Sequence, residues 1–217
     1  MKRAIIFANG KMDLPPPILK DIQSSDLIIA ADGGTHHCER WGIMPNVIVG
    51  DFDSLVSKEV ITFQQAGVEI IQYPAHKDET DLELALQLSL KGEVTDVYIL
   101  GALGARWDMT IANVLLAANP MFSQVKIRLL DGLQELIILR GEGRIDIDGH
   151  PGDVISLIPL GGDAYGITTH GLEYPLNDET LNFGSPRGVS NTFSHDQAQV
   201  FIRKGILLLC SINREIN

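Results

Sequence analysis

Three times before residue 110 a short apolar run ends in glycine and aspartate and gives way to a helical pattern. Leu27-Ile28-Ile29-Ala30-Ala31 runs into Asp32-Gly33-Gly34. Val47-Ile48-Val49 runs into Gly50-Asp51-Phe52-Asp53-Ser54. Asp96-Val97-Tyr98-Ile99-Leu100 runs into Gly101-Ala102-Leu103-Gly104-Ala105-Arg106-Trp107-Asp108. Apolar runs of this length read as buried strands, and glycine marks where the backbone turns. Strands alternating with helices imply βαβ units and a parallel sheet. In such a sheet the loops after the strands all emerge on one edge, where ligands of open α/β sheets bind.

The rest of the first half fits that frame. Arg3 to Ala8 reads as a first strand ending at Asn9-Gly10. Pro15-Pro16-Pro17 opens a predicted helix over Ile18 to Gln23, since proline suits a helix's first turn. Helices are also predicted over Thr35 to Trp41, over Val60 to Ala66, from Asp81 onward and from the Asp108 region to about Ala118. Glu69 to Tyr73 and Val125 to Leu130 read as further strands. Thr80-Asp81-Leu82-Glu83 has the spacing of a capping box.

After about Asp131 the pattern changes. Leu136–Leu139, Arg144–Ile147, Val154–Ile158, Tyr165–Thr169, Val189–Phe193, Gln199–Arg203 and Ile206–Cys210 are short apolar or alternating runs between glycine-rich turns. No helix stands out. The expectation is a mostly parallel, Rossmann-like α/β domain over 1–133, then a smaller all-β sandwich over 134–217.

Composition narrows the partners. The formal net charge of -11 argues against nucleic acid, which needs basic surface to neutralise phosphates. It suits a cationic ligand, or an anionic one that arrives with its own metal. Cys38 and Cys210 fit no zinc spacing. No apolar run approaches membrane-spanning length, and the start of the chain lacks the pattern of a signal peptide. The expected location is the cytoplasm.

The acidic loops carry the candidate chemistry. Asp51 and Asp53 alternate along an extended backbone and can face the same way. Paired carboxylates repel, and a hard cation such as magnesium relieves the repulsion. Asp81, at a helix start, is a third candidate ligand, and Asp78 a fourth. Dipole complementation at the helix start accounts for Asp81 equally well. Gly33 and Gly34 after Asp32 permit close approach to a ligand, or simply a tight turn. The Gly101–Asp108 loop can offer backbone N–H groups to an anion, with Arg106 as a bidentate donor. Asp108 reads as the cap of the following helix. Ser190-Asn191-Thr192 alone reads as a polar turn at a strand edge. Neither GxxxxGK[ST] nor GxGxxG occurs.

Taken together and in order, these segments resemble the bacterial thiamine pyrophosphokinases over nearly the whole chain. The resemblance rests on Ala31-Asp32-Gly33-Gly34, Gly50 to Ser54, Lys77-Asp78-Glu79-Thr80-Asp81, Gly101 to Asp108 and Ser190-Asn191-Thr192-Phe193. Met109 stands where that family often carries histidine. The resemblance implies transfer of the pyrophosphoryl group of ATP to thiamine, giving thiamine diphosphate and AMP. It implies Mg2+ held by Asp51, Asp53 and Asp81, with Asp32, Gly33, Gly34, Arg106 and Asp108 on the nucleotide side. Ser190 and Asn191 match the family's thiamine-binding motif. It also implies a homodimer whose sites are shared between subunits.

Two other classes compete. A strand followed by Asp-x-Asp also opens the haloacid dehalogenase-type phosphatases, with Asp51 as nucleophile and Asp53 as acid/base. Gly50 before the aspartate, Leu55 after it and two preceding βα units count against that reading. The other is a non-catalytic nucleotide- or thiamine-binding regulator.

Overall fold

The computed structural model describes residues 2–52, 57–104 and 106–213. Asp53, one of the expected metal ligands, lies outside them. The chain divides into two compact units, 1–132 and 133–217.

Among the described residues the first unit holds six parallel strands: β1 (Arg3–Phe7), β2 (Leu27–Ala31), β3 (Val47–Gly50), β4 (Glu69–Gln72), β5 (Asp96–Leu100) and β6 (Lys126–Asp131). Their order is β6-β5-β1-β2-β3-β4. The chain builds outward from β1 to β4, crosses back and continues on the other side with β5 and β6. Ile5 and Phe7 of β1 enter one apolar cluster with Ile28, Ala30 and Ile48, while Ala4 and Ile6 are buried as well. Strands buried on both faces explain the continuous rather than alternating apolar runs.

Among the described residues four α-helices cover this sheet: α1 (Thr35–Trp41), α2 (Ser57–Gln65), α3 (Asp81–Leu90) and α4 (Trp107–Ala117). Helix α3 makes the crossover from edge strand β4 to β5 and packs on β2, β3 and β1. Its start is set by Thr80, whose Oγ1 accepts a hydrogen bond from the Glu83 N–H at 3.2 Å, as the capping pattern requires. The crossover therefore delivers Asp81 above the middle of the sheet.

The expected helix over Ile18 to Gln23 is instead one 3-10 turn, Pro17–Lys20. Its end is held outside any helix, because Arg3 grips both the carboxylate and the carbonyl of Asp21, each at 2.7 Å. The expected cap at Asp108 is also corrected. Arg106 occupies the N-cap of α4 without a side-chain cap, and Asp108 lies one residue inside the helix. Gly50 is the last residue of β3, as expected. It makes the final pair with β4, opposite Gln72.

The second unit is a sandwich of antiparallel strands: β7 (Gln134–Arg140), β8 (Gly143–Asp148), β9 (Val154–Pro159), β10 (Ala164–His170), β11 (Glu179–Leu181), β12 (Asn191–Thr192), β13 (Gln197–Ile202) and β14 (Ile206–Ile212). One sheet runs β12-β9-β14-β7 and the other β11-β10-β13-β8. Ala198, Val200 and Ile202 alternate inward and meet Ile155, Leu157, Leu207 and Leu209 in a single core, the packing a two-layer sandwich needs. The sequence reading missed the short strand β11. It also made β12 too long, because Pro186–Gly188 forms a 3-10 turn and Ser190 has φ +61°. That backbone state cannot continue a strand.

Candidate functional site

The order of the parallel strands fixes where a ligand fits. The order in which strands are added reverses between β1 and β5, and adjacent loops there part to leave a crevice. Past their last paired residues these two strands stay in contact: Ala8 N–H donates to Leu100 O at 2.8 Å and Gly10 N–H to Gly101 O at 2.6 Å. Gly101 has φ +67°, and a Cβ there would sit 2.5 Å from Ala8 O. Both the left-handed backbone and the close approach demand glycine.

A cleft of about 290 Å³ opens over this point. The β1 loop contributes Asn9 and Gly10, the β2 loop Asp32, the start of α3 Thr80 and Asp81, and the β5 loop Gly104 and Arg106. Asp32, Asp81 and Arg106, three residues singled out from sequence, are thus brought together. Gly33 and Gly34 are buried but do not line the cleft. A Cβ on Gly33 would lie 2.3 Å from Asn9 Oδ1, and one on Gly34 2.0 Å from Phe7 O. These two glycines let the β2 loop pack on the end of β1.

Lys77 is the electrostatic hub of the acidic side. Its ammonium lies 2.9 Å from Asp81 Oδ1, with only 11% of the Lys77 side chain exposed. Burial acts to lower its pKa, but the hydrogen bond to Asp81 and the charges of Asp81, Asp51 and Asp32 outweigh it and raise it. One cation therefore sits within reach of three carboxylates from three loops. Asp78 is exposed and outside the cleft lining. Among the described residues no three His, Cys, Asp or Glu side chains form a ready metal cage.

Strain collects in the same segments. Asp32 has φ +46° and Phe52, between the paired aspartates, φ +62°. Left-handed backbone is costly for a bulky residue such as phenylalanine, and persists only where the surroundings enforce it.

On the opposite rim Arg106 is 72% exposed and forks onto Asp108, through Nη2–Oδ2 at 2.5 Å and Nε–Oδ1 at 3.2 Å. The guanidinium holds the Asp108 carboxyl below the usual carboxylate range, helped by the Met109 N–H. Asp108 itself is exposed and does not line the cleft. Its structural role is to restrain Arg106, whose fork geometry equally matches phosphate oxygens.

Several cleft groups escaped the sequence reading. Asn9 and Gly10 follow a strand like the other loops, and that position was the available signal. Asn113 lies on the buried side of α4 and donates from Nδ2 to Ala102 O at 2.7 Å, which fixes the β5 loop. His37 Nε2 lies 2.8 Å from Gly10 O, so an apparently ordinary histidine braces the β1 loop.

Ser190 and Asn191 lie in the second unit, at the start of β12. Ser190 N–H donates to Ser156 Oγ at 3.0 Å. The Asn191 amide is engaged with the backbone of Tyr174: Nδ2 donates to Tyr174 O at 2.8 Å, and Oδ1 accepts from Tyr174 N–H at 3.1 Å.

Comparison with known proteins separates the competing classes. The family model for the thiamin pyrophosphokinase catalytic domain matches residues 19–129. That for the thiamin pyrophosphokinase vitamin B1 binding domain matches residues 142–207. Thiamine pyrophosphokinase of Bacillus subtilis is 33% identical over 210 residues, 96% of this chain and 98% of that protein. Its crystal structure is similar at a TM-score of 0.86, with 30% identity and coverage of 99% and 100%. The thiamin pyrophosphokinase of Geobacillus thermodenitrificans gives a TM-score of 0.82 at 26% identity, with coverage of 100% and 99%. None of these supports the phosphatase reading. With both family models matched in order and likeness running along nearly the whole chain, the protein belongs to the thiamine pyrophosphokinase family, ATP-dependent pyrophosphotransferases.

Proposed function

We propose that this chain transfers the pyrophosphoryl group of ATP to the hydroxyethyl oxygen of thiamine, releasing AMP and thiamine diphosphate. The observation that carries the reading is the switch-point cleft, where Asp32, Asp81 and Arg106 from separate loops line one space. In the reaction the hydroxyl loses its proton as its oxygen bonds the β-phosphorus. The bond from that phosphorus to the bridging oxygen breaks, and AMP leaves with the oxygen. Such transfer depends on positioning and charge stabilisation.

Arg106 is suited to grip phosphate oxygens once it turns from Asp108, while the β5 loop and the start of α4 sit beside it to receive the anion. Lys77, held among carboxylates, pairs with Asp81, which lines the same space. The oxygen-only donor set of Asp51, Asp53 and Asp81 suits a hard cation, and the charge concentrated around Lys77 supports a fit for Mg2+. When bound, that ion supplies neutralisation of phosphate charge. An aspartate of this cluster takes the hydroxyl proton. Thiamine is placed in the second unit, on the Ser190-Asn191 segment, where its thiazolium charge suits an acidic protein. ATP as co-substrate supports a cytoplasmic setting.

The active form on this reading is a homodimer with sites shared between subunits. Support comes from α4, where Trp107 (81% exposed), Ile111 and Leu115 form an exposed apolar stripe at helical spacing. Mixing an Asp51→Asn variant with an Asn191→Ala variant should restore part of the activity in mixed dimers. Complete inactivity of the mixture would oppose shared sites. The reaction itself is tested by incubating the protein with ATP, magnesium and thiamine and measuring AMP and thiamine diphosphate. Thiamine binding with no AMP above background would overturn it.

A further inference from the structure

The cleft wall includes Asp32 and Asp81 but not Lys77, although the lysine ammonium lies 2.9 Å from Asp81 Oδ1. Lys77 therefore stands behind the acidic wall, outside the space that a substrate would fill. Lysine stems usually carry their charge out to water. Here only 11% of the side chain is exposed, and the Asp81 oxygen that meets the ammonium is shut off from solvent. A pair enclosed in this way is screened far less than one at the surface. The charges of Asp51 and Asp32 add to the attraction.

The local backbone holds the pair in place. Lys77 and Asp81 are four residues apart across the start of α3. The Thr80 cap on the Glu83 N–H fixes Asp81 as the first residue of the helix. The helix end adds partial positive charge on the same carboxylate. Asp81 thus has two fixed positive neighbours before any ligand arrives. Asp32 is buried and has φ +46°, a backbone state that persists only where its surroundings enforce it. Carboxylates gathered on rigid supports need a counter-charge to stay ionised together. A divalent cation taken up beside Asp81 would meet Lys77 as a like charge. In a partly buried site such repulsion is worth at least about tenfold in affinity.

We propose that Lys77 is a resident counter-ion that keeps the aspartate cluster from taking up a free divalent cation tightly, so that the ion is recruited together with the nucleotide phosphates. This role rests on the reading of Asp51, Asp53 and Asp81 as Mg2+ ligands. Phosphate oxygens bring negative charge that offsets the ammonium and restores the affinity that Lys77 takes away. Cation and nucleotide then favour each other's binding, and by linkage the coupling is the same in both directions. Lys77 is a positioning residue, acting by charge on the cluster and not by contact with substrate.

Mn2+ is the probe, because electron paramagnetic resonance separates free from bound ion without any turnover. Full-length wild type, Lys77→Met, Lys77→Gln and Lys77→Arg are titrated with Mn2+ alone. The titrations are then repeated with α,β-methylene ATP, whose bridge does not cleave. Lys77→Met and Lys77→Gln should bind Mn2+ alone at least about tenfold more tightly than wild type. Lys77→Arg keeps the charge and should stay within about threefold. With the analogue present, the gap between wild type and Lys77→Met should shrink below about threefold. Thermal unfolding in EDTA should show Lys77→Met less stable than wild type, and Mn2+ should raise its Tm by more. Unchanged or weaker binding of Mn2+ alone by the folded neutral variants would overturn the proposal, since loss of a merely structural lysine loosens a site and does not tighten it. Should Lys77→Met not fold, Lys77→Gln, which keeps a hydrogen-bond donor for Asp81, decides the matter. Failure of the underlying magnesium reading would look different: no protein would bind Mn2+ beyond what the analogue itself chelates.

Discussion

The two units place their candidate residues by opposite means. In the first, parallel strands joined by crossovers bring loops from β1, β2, α3 and β5 to one cleft, although the residues involved run from Asn9 to Arg106. In the second, the motif is a strip of antiparallel backbone in which Asn191 holds Tyr174 across the strand. A crossover site is woven into the core that supports it, whereas an edge site can be altered with less disturbance to the sandwich.

The largest effect that would sharpen this contrast is chemical. Asp51→Asn and Asp53→Asn should each lower kcat by at least roughly 100-fold, as loss of a charge-stabilising group commonly does. Full activity in either variant, measured by AMP release, would break the assignment of that loop. Backbone fit in the two units differs next. Gly101→Ala forces a Cβ to 2.5 Å from Ala8 O at φ +67°, whereas Gly161, at φ +70°, has nothing within 4 Å. The first should cost about 3 kcal/mol of stability, through overpacking added to left-handed strain, and the second about 1 kcal/mol from strain alone. Urea midpoints would measure both, and equal losses would undo the comparison.

A smaller effect is electrostatic and confined to the first unit. Arg3 Nη2 meets Asp26 Oδ2 at 2.7 Å, with only 2% of the aspartate side chain exposed. Burial acts to raise the Asp26 pKa, but the Arg3 hydrogen bond, the Gln23 N–H and the Arg3 charge together hold it below the usual range. A depressed carboxyl contributes stability that is present above its unfolded pKa of about 3.9 and lost as pH falls through the lower folded value. Asp26→Asn should therefore cost about 2 kcal/mol at pH 7, less than a fully buried pair because Arg3 keeps Asp21. The difference from wild type should shrink below about pH 4. A loss that stays constant with pH, read from urea midpoints, would contradict the ion-pair account. The smallest effect is Thr80→Ala, about 1 kcal/mol from a lost helix cap, again read from the urea midpoint.

Much of the fold was legible because both sheet types write themselves into local pattern. Continuous apolar runs such as Leu27–Ala31 announced buried strands, and short runs such as Gln199–Arg203 between glycine-rich turns announced a sandwich, although that strand begins two residues earlier, at Gln197. Thr80 and Glu83 marked a helix start correctly because a cap is a local contact. Local rules failed where a distant group intervened. Arg3 holds Asp21 out of the expected helix, and the αL backbone of Ser190 cuts short the strand expected from Val189. Asp108 looked like a cap, yet its carboxylate is taken by Arg106.

The candidate site divides in the same way. Asp32, Asp81 and Arg106, which line the cleft, were visible because strand–glycine–acid loops recur, and a parallel sheet must send such loops to one edge. Strand order was not visible, since no local residue encodes which strand β1 will neighbour. Only the tertiary structure set β1 between β2 and β5, opened the cleft there and drew in Asn9, His37 and Asn113 from segments with no motif. Only the fold set Lys77 among three carboxylates, because that balance depends on charges separated by dozens of residues. The same holds for Asn191. Sequence alone marked it as a polar residue in a binding motif, while cross-strand geometry turned its amide toward the backbone of Tyr174. Residue types declare what chemistry is available, and long-range packing decides which of those groups meet.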